Sequence, residues 1–103
     1  ELLNNWDSDF CNNVANEYER FLQMKCTNQN ILASNIIDRF WHQHTLNKED
    51  YQKYCMDKFG YLIEYSPDKE NTKVGIKNLR HNYTLIYYKN MFDTDAPTNI
   101  WNN

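Results

Sequence analysis

Only two glycines and two prolines interrupt 103 residues, and that scarcity limits the fold more than any single motif does. A β-sandwich or barrel turns about every ten residues and places Gly, Pro, Asn or Asp at most of those turns. A chain this poor in Gly and Pro suits helices joined by short Asn- and Asp-containing loops. The rest of the composition supplies a core, being 41% hydrophobic and 16% aromatic with 8 Tyr, 5 Phe and 3 Trp. Aromatic rings bury large areas per residue, so one core can form without disulfides or structural metal. The expectation is an all-α fold, a compact single domain across residues 1–103. It has about four principal helices and an irregular connector before the last long one.

Periodicity places the helices. Phe10, Val14, Tyr18, Phe21 and Leu22 share one face of a helix that runs from Asp7 or Ser8, either of which can cap it, to about Met24. A second helix begins near Asn35, with Asp38 three residues on in a capping-box position. Ile37, Phe40, Trp41 and His44 lie on its inner face. Asn47 caps a third, whose Glu49 and Asp50 suit the first turn; Tyr51, Cys55 and Phe59 form its stripe, and Gly60 stops it. The connector YLIEYSP is closed by Pro67. A fourth helix spans roughly Glu70 to Met91, with Leu79, Tyr83, Ile86 and Tyr87 as its apolar face and Lys73, Lys77, Arg80 and His81 as its solvated row. The tail DTDAPTNIW reads as a loop that folds Ile100 or Trp101 back onto the bundle.

Several function classes have little to stand on. The net charge of −3 makes nucleic acid an improbable partner, since it gives no global electrostatic grip on phosphate. No apolar run approaches the ~20 residues of a membrane span. Three cysteines (Cys11, Cys26, Cys55) at irregular spacing and without a CxxC motif read as reduced thiols of a cytoplasmic or other intracellular compartment. Beginning at Glu1, the chain reads as a fragment or a processed product. Its abundance of Asn, Lys, Ile and Tyr is what AT-rich coding produces, as in some protists and large DNA viruses. No Walker loop, GxGxxG or HExxH is present.

Chemistry concentrates in IDRFWHQHTLNKEDYQKYC, residues 37–55, and three readings of it stand. In the first, His42, His44, Cys55 and Glu64 bind zinc, which accepts imidazole, thiolate and carboxylate. Helix geometry opposes this, because residues two apart point roughly 200° apart. In the second, Cys55 is a nucleophile served by His42 and oriented by Asp38, which lies one helical turn away. No Gly-rich oxyanion loop accompanies that trio. In the third, the segment is structural. His44 is then a core histidine tied to a carbonyl or a buried hydroxyl, His42 a boundary residue beside Asp38, and Cys55 a small buried hydrophobe.

The stretch IDRFWHQHTLNKEDYQKYCMDKFGYLIEYSP resembles the glycine-rich domain-containing protein-like family, whose segment runs V-D-x-F-W-H-x-H-x-L-x-x-x-x-Y-x-x-x-C-x-x-x-F-G-Y-x-x-H-x-x-P. Asp38, Trp41, His42, His44, Leu46, Tyr51, Cys55, Phe59, Gly60, Tyr61 and Pro67 carry the likeness. Thr84, Tyr88, Phe92, Pro97 and Trp101 are similar to its closing helix and Trp-containing tail. The resemblance implies a helical domain of scaffold or regulatory type with no established reaction. Two departures stand out: Glu64-Tyr65 occupies the place where relatives often carry one or two His, and Phe92-Asp93 replaces Phe-Gly.

Taken together, the sequence favours a non-catalytic protein-interaction or structural module with an unidentified protein partner, in which the WHxH motif organises the core. Asp38, Trp41, His42, His44, Tyr51, Cys55, Phe59 and Gly60 are its motif and core residues. A zinc domain built on His42, His44, Cys55 and Glu64 is the alternative, and a thiol-dependent enzyme follows it.

Overall fold

Four of the helix boundaries in this protein are set by single residues. In the computed structural model, which describes residues 6–65 and 74–101, Asp7 caps α1 (Ser8–Thr27) by accepting the Phe10 N–H at 2.8 Å. Ser34 caps α2 (Asn35–Leu46) by accepting the Ile37 N–H at 3.2 Å. The cap is therefore one residue earlier than the Asn35/Asp38 pattern suggests. Ser34 is wholly buried and its hydroxyl also donates to the Ile100 carbonyl at 2.7 Å, a tertiary tie that a local capping pattern cannot contain. Asn47 caps α3 (Lys48–Phe59) through the Asp50 N–H at 3.2 Å, and Gly60 ends it in the left-handed region at φ 80°, where a Cβ would be strained.

The described residues then contain α4 (Val74–Phe92) and a four-residue turn of helix, α5 (Thr98–Trp101), and no strand. The fold is all-α. Pro67 and the expected start of the fourth helix at Glu70 lie outside the described residues. Asp93 follows α4 at φ 57°, a left-handed position that Asp tolerates and Gly favours. The tail is a loop from Asp93 to Pro97, as expected, and then closes in the turn α5, which folds back and buries both Ile100 and Trp101.

The core gathers around Phe21 of α1. Its ring lies 5.0 Å from that of Trp41 on α2 and 6.4 Å from that of Trp101 on α5. Val14, Leu22, Met24, Ile31, Ile37 and Cys55 complete a dry interior. The radius of gyration, 13.4 Å, is that of a packed chain of this length.

α4 turns the other way from what its periodicity predicts. Its fully buried residues are Thr84 and Tyr88, whereas Leu79 is 71% exposed, Ile86 62%, Ile76 50% and Tyr83 44%. Of the expected apolar face only Tyr87 is partly covered. Lys77, Arg80 and His81, expected in solvent, are half-buried instead. The reason lies in what the bundle offers α4. The end of α1 and the Glu17 carboxylate present polar groups that need partners, and α4 meets them with hydroxyls.

Candidate functional site

α2 carries the WHxH segment, and its 100° step separates the two histidines. Trp41 points inward, 1% exposed, and its Nε1 donates to the Tyr51 hydroxyl at 3.0 Å. That hydroxyl donates in turn to the Ile63 carbonyl. A relay from α2 through α3 to the connector thus satisfies each polar atom inside the core.

His44 sits half-buried among tyrosines. Its Nδ1 shares a 2.8 Å hydrogen bond with the Tyr18 hydroxyl. Its ring meets those of Tyr51 and Tyr54 edge to face at 4.9 and 5.1 Å. Burial lowers the pKa of His44, partly offset by Asp50, and burial raises that of Tyr18. Both are therefore neutral, and their hydrogen bond is that of an uncharged pair. Burial likewise pushes Tyr54 up to about 12.

His42 lies on the other side, exposed. Its ring is 5.5 Å from that of Tyr65, which also stands edge-on to Trp41 at 4.8 Å. The Tyr65 hydroxyl donates to both oxygens of Asp38 at 3.3 and 3.4 Å. Tyr65 thus covers the edge of the motif. Glu64 is exposed and Phe59 half-buried, while Cys55 is fully buried. The Cys55 sulfur is within electrostatic reach of the Tyr18, Tyr51 and Tyr54 hydroxyls. The segment therefore brings Trp41, His44, Tyr51 and Cys55 together and leaves His42 and Glu64 outside. Among the described residues, no three His, Cys, Asp or Glu side chains gather at metal-binding distance.

A second polar centre was not foreseen. Glu17, 8% exposed, accepts from the Tyr88 hydroxyl at 2.6 Å and from Trp101 Nε1 at 2.9 Å. Arg20 donates to the same Tyr88 hydroxyl at 2.6 Å and lies over the Phe92 ring at 5.0 Å. Burial and the neighbouring Glu17 carboxylate push Tyr88 up to about 12. An open groove of about 480 Å³, lined by Asn16, Glu17, Glu19, Arg20, Gln23 and Phe92, runs beside it. The available signal was Glu17 itself, an acidic residue on the Val14–Phe21 face of α1.

These features define an all-α domain whose chemistry-bearing core side chains are engaged by one another. No family model, curated protein or solved structure matches the chain. No helix among the described residues is long and apolar enough to cross a membrane.

Proposed function

We propose that the domain is a non-catalytic protein-interaction module. The WHxH segment organises its core and α4 supplies its contact surface. The observation that carries this reading is the outward row Ile76, Leu79, Tyr83 and Ile86. These four large apolar side chains are each at least 44% exposed; Ile76, Leu79 and Ile86 face away from the docked side, while the Tyr83 hydroxyl reaches back to accept from Asn28 Nδ2. A contiguous apolar strip of this kind marks an interaction site more often than an inert surface. The resemblance to the glycine-rich domain-containing protein-like family supports the same class.

Stability measurements test the reading. Leu79→Gln and Ile86→Gln are expected to leave the free energy of unfolding within about 0.5 kcal/mol of the parent, as surface substitutions do. A loss of about 2 kcal/mol or more, the cost of a buried leucine or isoleucine, would show that α4 spends this face on its own fold. Elemental analysis provides an independent check, because stoichiometric zinc in the purified protein would favour a metal domain instead.

A further inference from the structure

We infer that α4 is a detachable lid, a helix that lifts from the α1–α2–α3 body as one unit while that body and α5 stay folded. This holds whatever meets its outer face, because the argument lies on the docked side. Among the described residues of α4 only Thr84 and Tyr88 are fully buried, and Leu85 and Phe92 are covered in part. Two of its hydroxyl ties, Tyr83 to Asn28 and Tyr87 to Thr27, lie at the exposed rim, as does the pair Lys89–Asp95. Few buried apolar contacts and solvent-exposed hydrogen bonds mark a segment that opens below the global unfolding free energy.

Two further features loosen the same side. His81 falls within about 60° of Thr84 and Tyr88 around the helix axis, and its Nδ1 is buried without a hydrogen bond. That nitrogen loses its water on docking and gains no partner, a penalty that lifting the helix removes. The groove of about 480 Å³ between α1 and Phe92 brings solvent beside the Glu17–Tyr88–Arg20 network.

The rest of the fold keeps its ties without α4. Ser34 Oγ donates to the Ile100 carbonyl at 2.7 Å and Trp101 Nε1 to Glu17 at 2.9 Å, which holds α5 to the body. Phe21, Trp41 and Tyr51 pack and bond among themselves. Lifting α4 leaves Glu17 its Trp101 donor, strips the Leu32 N–H of Thr84 and uncovers the Trp101 ring, which Tyr88 meets at 5.6 Å. The lid therefore covers a trench with an indole wall and a carboxylate floor.

Native-state hydrogen exchange of the whole chain in low urea tests the proposal. The amides of Tyr83 to Tyr88, inside α4, are expected to be at least about thirtyfold less protected than those of Tyr18 to Leu22, inside α1. Their exchange should also respond more weakly to urea, since lifting one helix exposes less surface than unfolding does. Tyr51→Phe weakens a contact that persists in the open state. It should speed exchange in α1 about fivefold and leave the α4 amides within about twofold of the parent. Tyr88→Phe weakens a contact that either opening breaks, so both sets should quicken alike. Equal protection of the two sets, or equal acceleration of both by Tyr51→Phe, would overturn the proposal, because α4 would then open only with the whole fold.

Discussion

The α1–α2–α3 unit and α4 are held by opposite kinds of contact. In the first, rings and aliphatic chains interdigitate around Phe21 and Trp41, and the few polar atoms pair within the interior. In the second, four hydroxyls in two adjacent pairs add polar ties to the packing of Tyr88, Leu85 and Phe92. Tyr83 accepts from Asn28 Nδ2 at 2.5 Å, Thr84 from the Leu32 N–H at 2.9 Å, Tyr87 shares a bond with Thr27 at 2.8 Å, and Tyr88 donates to Glu17. The difference teaches where each unit puts its apolar surface. The first unit buries most of it, with Leu46 and Met56 as exceptions, whereas α4 buries Tyr88 but leaves Ile76, Leu79 and Ile86 exposed.

The largest expected contrast comes from truncating one large side chain in each region. Trp41→Ala removes the ring that packs on Phe21 and Tyr65 and should cost about 3–5 kcal/mol, enough to unfold a domain of ordinary stability. Leu79→Ala on α4 should be nearly silent in the same urea titration. Similar losses for the two would abolish the distinction between the regions.

A middle-sized effect sharpens it. Tyr88→Phe keeps the ring but deprives the buried Glu17 of a donor, and Thr84→Val strips the Leu32 N–H of its acceptor. Thr84→Val is expected to cost about 1–3 kcal/mol, the penalty of leaving a buried polar group unpaired, and Tyr88→Phe about 1 kcal/mol, since Glu17 keeps the bond from Trp101 Nε1. Tyr51→Phe should cost a comparable amount, through loss of the bond from Trp41 Nε1. If the two α4 variants are neutral, the hydroxyls are not what holds that helix.

How much of this was legible in the sequence depends on residue type. The cap Asn47, the stop at Gly60 and the stripe Tyr51–Cys55–Phe59 are local and are marked by the sequence, which for α1 leaves Asp7 and Ser8 both open as the cap. Tyrosine is not local in this sense. Its ring satisfies an apolar pattern and its hydroxyl a polar one, so YTLIYY fits either rotation of α4 equally well by hydropathy. The rotation is decided by Glu17 and by the C-terminal end of α1, about 55 to 71 residues away in sequence, which periodicity within one helix cannot register. The Ser34 cap was missed for the same reason, since its hydroxyl is fixed by Ile100 across the molecule. At the WHxH segment the 200° offset between positions two apart was enough to separate His42 from His44. The tyrosine cage around His44 draws on α1 and α3 and could not be read from α2 alone.

The smallest effect concerns protons. Burial lowers the pKa of His44, and also that of His81, so the folded state favours their neutral forms. For a group whose folded value is depressed, the associated stability is fully present above the unfolded value, about 6.5 for histidine. It is lost as pH falls from there through the folded value. Denaturation midpoints should therefore decline between about pH 7 and pH 5. In the first region the His44→Gln variant should show a shallower decline, and His81→Gln tests the α4 share separately. A pH profile unchanged by His44→Gln would remove that residue from the linkage.

The central claim is that α4 presents its isoleucines to solvent while Ile31, Ile37, Ile63 and Ile100 are buried. The most direct test is solvent paramagnetic relaxation of isoleucine methyl groups by a neutral gadolinium chelate. The account predicts strong broadening of the Ile76 and Ile86 methyls and protection of Ile31, Ile37 and Ile100, which are 1% exposed or less. Equal protection of Ile76, Ile86 and Ile37 would contradict it.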